Sequence, residues 1–202
     1  MATRSSEPQA KGGLLLARLD YLREQGGAAL QQAVLALLAP SEAGMLRRPI
    51  RPASWYPLGL QLRLDDAIAT VLSPGDPSQA FVEVGRAYAD AILARSPRAT
   101  MNDTAPKSFL QMVPHLYGAY HVAAGHREYQ PLGENAAVIR TIHANGVIID
   151  DHCWTVVGCL QRGLELSGAE TVLVTETACR SAGAPCCEYR CEWHAAGAIE
   201  LS

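Results

Sequence analysis

Apolar positions run at helical spacing as far as about residue 124 and alternate, strand-like, after it. "LLLARLDYLREQ" (14–25) and "AALQQAVLALLA" (28–39) predict two helices separated by Gly26-Gly27. The proline-containing stretch 40–57, "PSEAGMLRRPIRPASWYP", predicts a loop anchored by Trp55-Tyr56, and a helix follows at 58–72 until "SPGDPS" breaks it. Ser78 is the expected cap of the next helix, in which Phe81, Val84, Tyr88 and Ile92 form one stripe. A further helix is expected from Pro106 to about Ala124, with Phe109, Met112, Leu116 and Tyr120 as its core face.

"REYQPLG" and "AAVIRTIH" predict two strands turning at Gly133-Glu134-Asn135. Asp150-Asp151 is the expected opening of a helix that stops at Gly168, and "ETVLVTETA" and "CCEYRCEW" are the last two strands. The fold class this predicts is α+β: N-terminal helices packed on an antiparallel four-stranded sheet, with a β-β-α-β-β C-terminal half. Residues 1–12 read as a flexible tail. Residues 13–202 read as a single domain, with a helical part over 13–125 and a sheet part over 126–194.

Composition adds exclusions. A chain of 202 residues with 49% hydrophobic content suits one sizeable core, and a net charge of -3 without a basic patch argues against nucleic acid as a partner. No apolar run is long enough to span a membrane, and "LLLARL" is too short for a signal peptide. The expected location is cytoplasmic, where thiols stay reduced.

That matters for the candidate chemistry, because "TETACRSAGAPCCEYRCEW" (175–193) holds four of the six cysteines. A disulfide clasp, a metal site and a redox switch all remain open. Alternation puts Cys187, Tyr189, Cys191 and Trp193 on one face of the last strand, and Val172, Val174 and Glu176 on one face of its neighbour. A carboxylate ending an apolar face needs a partner. Cys179 follows three residues later, so Glu176, Cys179 and Cys187 converge on what could be a tetrahedral zinc site. His152 and Cys153 are the candidates for a fourth ligand, and Cys153 is favoured by its place at a helix start. Three thiolates and a carboxylate would need backbone N–H donors, expected from the Gly183 loop. Cys159 and Cys191 read as small apolar fillers.

The stretch "CWTVVGCLQRGLELSGAETVLVTETACRSAGAPCCEYRCEW" resembles the 4-vinyl-reductase (4VR) domain family: a helix ending in glycine, a strand, a cysteine, a glycine-containing loop, a second cysteine and an aromatic-rich last strand. "SWYPL" and "EVGRAYADAIL" are similar to the helical half of related myxobacterial proteins. The resemblance implies the fold of haem-NO-binding sensor domains and of TRAPP tethering subunits. It also implies a structural zinc, its ligand roles falling on Cys153, Glu176, Cys179 and Cys187 as in the sensor domains of phenol-responsive activators. The haem-binding branch uses a Tyr-x-Ser-x-Arg motif that does not occur here; haem is therefore expected to be unlikely, and His115 and His121 to be ordinary helix histidines.

The expected function is a non-catalytic sensory or scaffold module that binds a small apolar or aromatic molecule and forms a homodimer, the apolar helix 28–39 supplying the contact. Trp55, Phe109, Met112, Tyr117 and Trp154 are the candidate pocket residues. The alternatives are a TRAPP-like, GTPase-regulating protein-interaction module and a reductase-type enzyme. The enzyme is disfavoured, since the chain carries no dinucleotide fingerprint, no Ser-His-Asp logic and no paired carboxylates in an evident cleft.

Overall fold

The computed structural model describes residues 7–93, 105–144 and 152–195. The chain opens with strand β1 (Gln9–Lys11) and enters α1 (Gly12–Leu35), which is kinked where Gly26 and Gly27 leave helical geometry. Gly27 has φ 65°, a conformation that favours glycine, so the two helices read from the sequence become two arms of one kinked element. There follow α2 (Pro40–Leu46), β2 (Trp55–Pro57), α3 (Leu58–Leu72) and α4 (Pro77–Leu93). Next come α5 (Pro106–Tyr120), β3 (His121–Val122), β4 (Gly125–Pro131) and β5 (Ala136–His143). The chain ends with α6 (Cys153–Leu166), β6 (Ala169–Ala178) and β7 (Cys187–Ala195).

The expected α+β layering is present. The four-stranded sheet has the order β4-β5-β7-β6 and all its pairings are antiparallel. The expectations around it need four corrections. Residues 9–11 are not tail: β1 is the middle strand of a second, three-stranded sheet in the order β2-β1-β3, and Ala10 is buried. The supposed loop 40–57 contains α2 and β2, because Pro40 starts a helix well and "WYP" finds an edge to pair with. Asp76, not Ser78, caps α4, its carboxylate accepting the Ser78 amide at 3.1 Å. On α5 the buried face is Phe109, Leu110, Val113 and Tyr117; Met112 lies outside it and is exposed. Asp150-Asp151 lie outside the described residues, and α6 begins at Cys153.

Two cores result. One packs α5 and α6 on the inner face of the large sheet, where Cys187, Tyr189, Cys191 and Trp193 are all at most 3% exposed. The other lies among α1, α2 and α3. Helices α4 and α6 join them by close backbone approach. A Cβ on Gly85 would fall 2.0 Å from the Thr155 carbonyl oxygen, and one on Gly158 would fall 2.0 Å from that of Val82. Only glycine fits at either place, and this crossing holds the start of α6 against the helical layer.

Candidate metal centre and interlayer cavity

Three elements bring four ligand atoms together. Cys153 is the first residue of α6, Glu176 lies near the end of β6, Cys179 just follows that strand, and Cys187 begins β7. One sulfur or carboxylate oxygen from each lies within 4.8 Å of the others. Cys153 Sγ is 3.6 Å from Cys179 Sγ and 3.5 Å from Cys187 Sγ. Those are not disulfide distances, and all six cysteines are free. A tetrahedron with metal–sulfur bonds of about 2.3 Å has sulfur–sulfur edges of roughly 3.8 Å, close to what is observed.

The cluster has supporting donors. The Arg180 backbone N–H donates to Cys187 Sγ at 3.4 Å, and His143 Nε2 lies 3.7 Å from the same sulfur. The Gly183 N–H is spent on the Arg180 carbonyl, so of the loop donors expected it is that of Arg180 that reaches a thiol. The Cys187 thiol is pushed down, chiefly by the hydrogen bond from Cys153 and then by those from His143 and Arg180. Cys153 is pushed up by that same bond to Cys187 and by burial. Glu176 Oε1 is buried with no hydrogen-bond partner, an acceptor beside three sulfurs with nothing to accept from. A thiophilic divalent cation fits this donor set.

Above the cluster a cavity of about 80 Å³ lies between the helical layer and the sheet. Cys153, Tyr189 and His143 belong to its walls, so metal cluster and cavity share a boundary. On the helical side stands a buried ion pair: Arg18 donates two bonds to the Asp65 carboxylate, that from Nη2 at 2.8 Å, and a third to the Leu14 carbonyl at 2.9 Å. On the sheet side Arg127 donates to Thr141 Oγ1 at 3.2 Å and lies over the Tyr117 ring, 4.8 Å from its centroid. His121 stacks on Tyr117 and its Nδ1 lies 3.2 Å from the Tyr117 carbonyl, which can only accept. Nδ1 therefore carries the proton and Nε2 a lone pair. Burial and the Arg127 charge push the His121 pKa down to about 3, so the ring is neutral near pH 7.

Of the five pocket residues expected from sequence, Tyr117 lines this cavity, and Phe109 lines a smaller neighbouring chamber. Trp55, Met112 and Trp154 line neither and are each about 40% exposed, at 41%, 38% and 41%. The other aromatic rings that line the cavity are Tyr88, Tyr189, His121, His143 and His152. Sequence reading also missed Arg18, Asp65 and Arg127. A signal existed for the first two: Arg18 falls between Leu14 and Leu22 on an apolar stripe, and Asp65 falls between Leu58 and Ala69. A charge on a buried face advertises a partner.

A family model described as "Protein of unknown function (DUF2378)" matches residues 10–194, nearly the whole chain. The chain belongs to that family. No curated protein matches it. Solved structures with the same fold include an H-NOX protein from S. oneidensis in the Fe(II)NO ligation state. It shares 17% identity at a TM-score of 0.72, covering 91% of this chain and 99% of that one. An oxygen-binding H-NOX domain related to soluble guanylate cyclases matches at 14% identity and a TM-score of 0.66, covering 91% and 94%. An unliganded Fe(II) H-NOX mutant from K. algicida matches at 10% and 0.66, covering 91% and 96%.

These neighbours correct the expectation that haem is unlikely. That expectation rested on one absent motif, whereas the fold agrees with that of iron-ligating H-NOX proteins over 91% of the chain. His121 is not an ordinary helix histidine either, since it follows α5 as the first residue of β3 and lines the cavity. Its unprotonated Nε2 could hold an iron, and Arg127 could pair with an acidic group of a cofactor. The cavity as folded is well below the roughly 300 Å³ of small-ligand pockets, so a haem would have to part the layers to enter. Among the described residues no helix is long and apolar enough to cross a membrane.

Proposed function

We propose that this chain is a sensory module: it binds a small molecule between helices and sheet, above a structural zinc ion held by Cys153, Glu176, Cys179 and Cys187. One observation carries the reading. Four ligand atoms of the right chemistry lie within 4.8 Å against the wall of the cavity, and the glutamate among them has a buried carboxylate oxygen without a hydrogen-bond partner. The resemblance of residues 153–193 to the 4VR domain supports the same ligand set. With four protein ligands the ion would have no open position, so it would contribute folding energy and no catalysis. Metal analysis of protein purified without added metal tests this. One zinc per chain is expected, lost in Cys179→Ser and Glu176→Gln; a folded, metal-free protein overturns it.

A second reading follows from His121. A neutral imidazole with its Nδ1–H held by a carbonyl is the form that ligates iron. Here the occupant is a haem and His121 its ligand. Added haem that binds with a sharp Soret band, lost in His121→Ala, would establish it; a band unchanged in that variant would remove it.

The homodimer is also a proposal, though helix 28–39 offers little for it. Val34, Leu35 and Leu38 are buried inside the chain, leaving mainly alanines and Leu37 outward. Light scattering at several concentrations decides.

A further inference from the structure

The cavity holds unanswered polar chemistry. Among the described residues, Gln61 Oε1, His143 Nδ1, His152 Nδ1 and Thr155 Oγ1 are buried without a hydrogen-bond partner, and all four residues line it. Gln61 and Thr155 are 8% and 9% exposed, so bulk water does not serve them. Orphaned polar atoms that converge on one chamber call for a polar occupant.

The charges say which kind. Arg18 is neutralised by Asp65 across a two-bond contact. His121 contributes no charge near pH 7. Arg127 has a hydroxyl and an aromatic face for company but, among the described residues, no carboxylate in ion-pair contact. Among the described lining residues Arg127 is thus the arginine left without a carboxylate partner, in walls that also include Leu14, Leu58, Leu62 and Val156. A half-buried cation in such surroundings draws an anion. A single charge suits a monoanion better than a phosphate dianion.

The neighbouring chamber of about 30 Å³ adds the rest of the molecule. It shares Tyr88, Tyr117, Arg127 and Cys159 with the first and continues among Ile92, Phe109, Val113 and Leu116, an apolar extension past the guanidinium. We propose that the cavity takes a small organic monocarboxylate, its carboxylate on Arg127 and its short hydrocarbon tail between α4 and α5. This deepens the sensory reading and rests on it.

The test uses the whole chain with its bound metal. Acetate, butyrate, hexanoate, 1-butanol and phenol are titrated by calorimetry and thermal shift against wild type, Arg127→Gln and, as a surface control, Arg190→Gln. Butyrate or hexanoate should bind and raise the Tm, while 1-butanol should not. Arg127→Gln should weaken carboxylate binding at least tenfold, and Arg190→Gln should leave it unchanged. Equal binding of butyrate and butanol to wild type overturns the proposal whether or not Arg127→Gln folds. So does a folded Arg127→Gln that binds butyrate normally. Binding of phenol or butanol without any carboxylate overturns the charge assignment and leaves the sensory reading standing. Binding of none of the five overturns the carboxylate and removes support for an apolar-molecule sensor, while zinc content is unaffected.

Discussion

The Arg18–Asp65 pair and the Cys153–Glu176–Cys179–Cys187 cluster border the same cavity, the first on its helical side and the second on its sheet side. Both bury polar atoms. The ion pair completes itself: two bonds join guanidinium and carboxylate, and a third goes to a backbone carbonyl. The cluster does not. Its sulfurs share hydrogen bonds of 3.5 and 3.6 Å, weak ones for a thiol, while a Glu176 oxygen has no partner. A polar group that finds its partner within the chain is architecture. One left unanswered in a well-packed region marks where something from outside the chain belongs.

The largest test of that contrast is removal of the outside component. Strong chelation, or Cys187→Ser, should lower stability by several kcal/mol and loosen the β6–β7 end first, since structural zinc can supply on the order of 10 kcal/mol in small domains. Hydrogen exchange with and without chelator reads this directly. Unchanged protection of β6 and β7 would make the cluster as self-sufficient as the ion pair and erase the difference.

Next in size is the ion pair. Asp65→Ala leaves Arg18, 2% exposed, without its counter-charge and should cost about 3–5 kcal/mol in denaturant unfolding. Replacing both partners, Arg18→Met with Asp65→Leu, should return stability to within about 1 kcal/mol of the wild type or above it. No such apolar double replacement is expected to rescue the cluster if, as proposed, its contribution comes from an ion and not from its members' mutual attraction. A double variant as damaged as the single would mean that Arg18 and Asp65 also answer to something in the cavity.

Much of the sheet side could be read from sequence, because its signals are local. Alternation along β7 names its buried face, and a carboxylate at the end of an apolar face, three residues before a cysteine, already points at a cluster. The cavity was less legible. Its walls come from α1, α3, α4, α5, β3, β4, β5, α6 and β7, and which aromatic faces inward depends on helix rotation. Met112 was placed on the core face of α5, yet the helix turns Val113 and Tyr117 inward instead. Arg127 alternates with its neighbours on an edge strand like any surface cation. Only the fold shows it leaning over Tyr117. The second sheet was invisible for a similar reason: strands of two and three residues carry no period, and pairing alone makes them.

A smaller effect belongs to His121, on the boundary between the two regions. Its folded pKa, about 3, is below the ordinary value of 6.5 because burial and Arg127 disfavour the charged ring. The unfolded chain therefore takes up a proton first as pH falls. The stability this neutral ring contributes is whole above about pH 6.5 and is lost progressively toward pH 3, by at most roughly 2 kcal/mol at pH 5. His121→Phe keeps the stacking on Tyr117 and should flatten the acid limb of a stability-versus-pH curve over that window. An unaltered limb would place the acid sensitivity elsewhere.

The smallest effect lies at the α4–α6 crossing, on its partly solvent-exposed charges. Arg86 grips Glu165 with bonds of 2.9 and 2.8 Å, and Arg162 adds another at 3.1 Å, but these side chains are about 30% exposed and water competes for them. The Glu165 carboxyl is held below its usual value chiefly by the Arg86 hydrogen bond. Its contribution is complete above the unfolded pKa near 4.5 and disappears as pH falls through the lower folded value, so it begins only where the loss from His121 is well advanced. Glu165→Gln should cost about 0.5–1 kcal/mol at pH 7, shrinking in high salt. The salt dependence separates it from the Arg18–Asp65 pair, which has no water around it to screen. If Glu165→Gln instead matched Asp65→Ala in cost and ignored salt, burial would not be what distinguishes a structural charge in this protein from a decorative one.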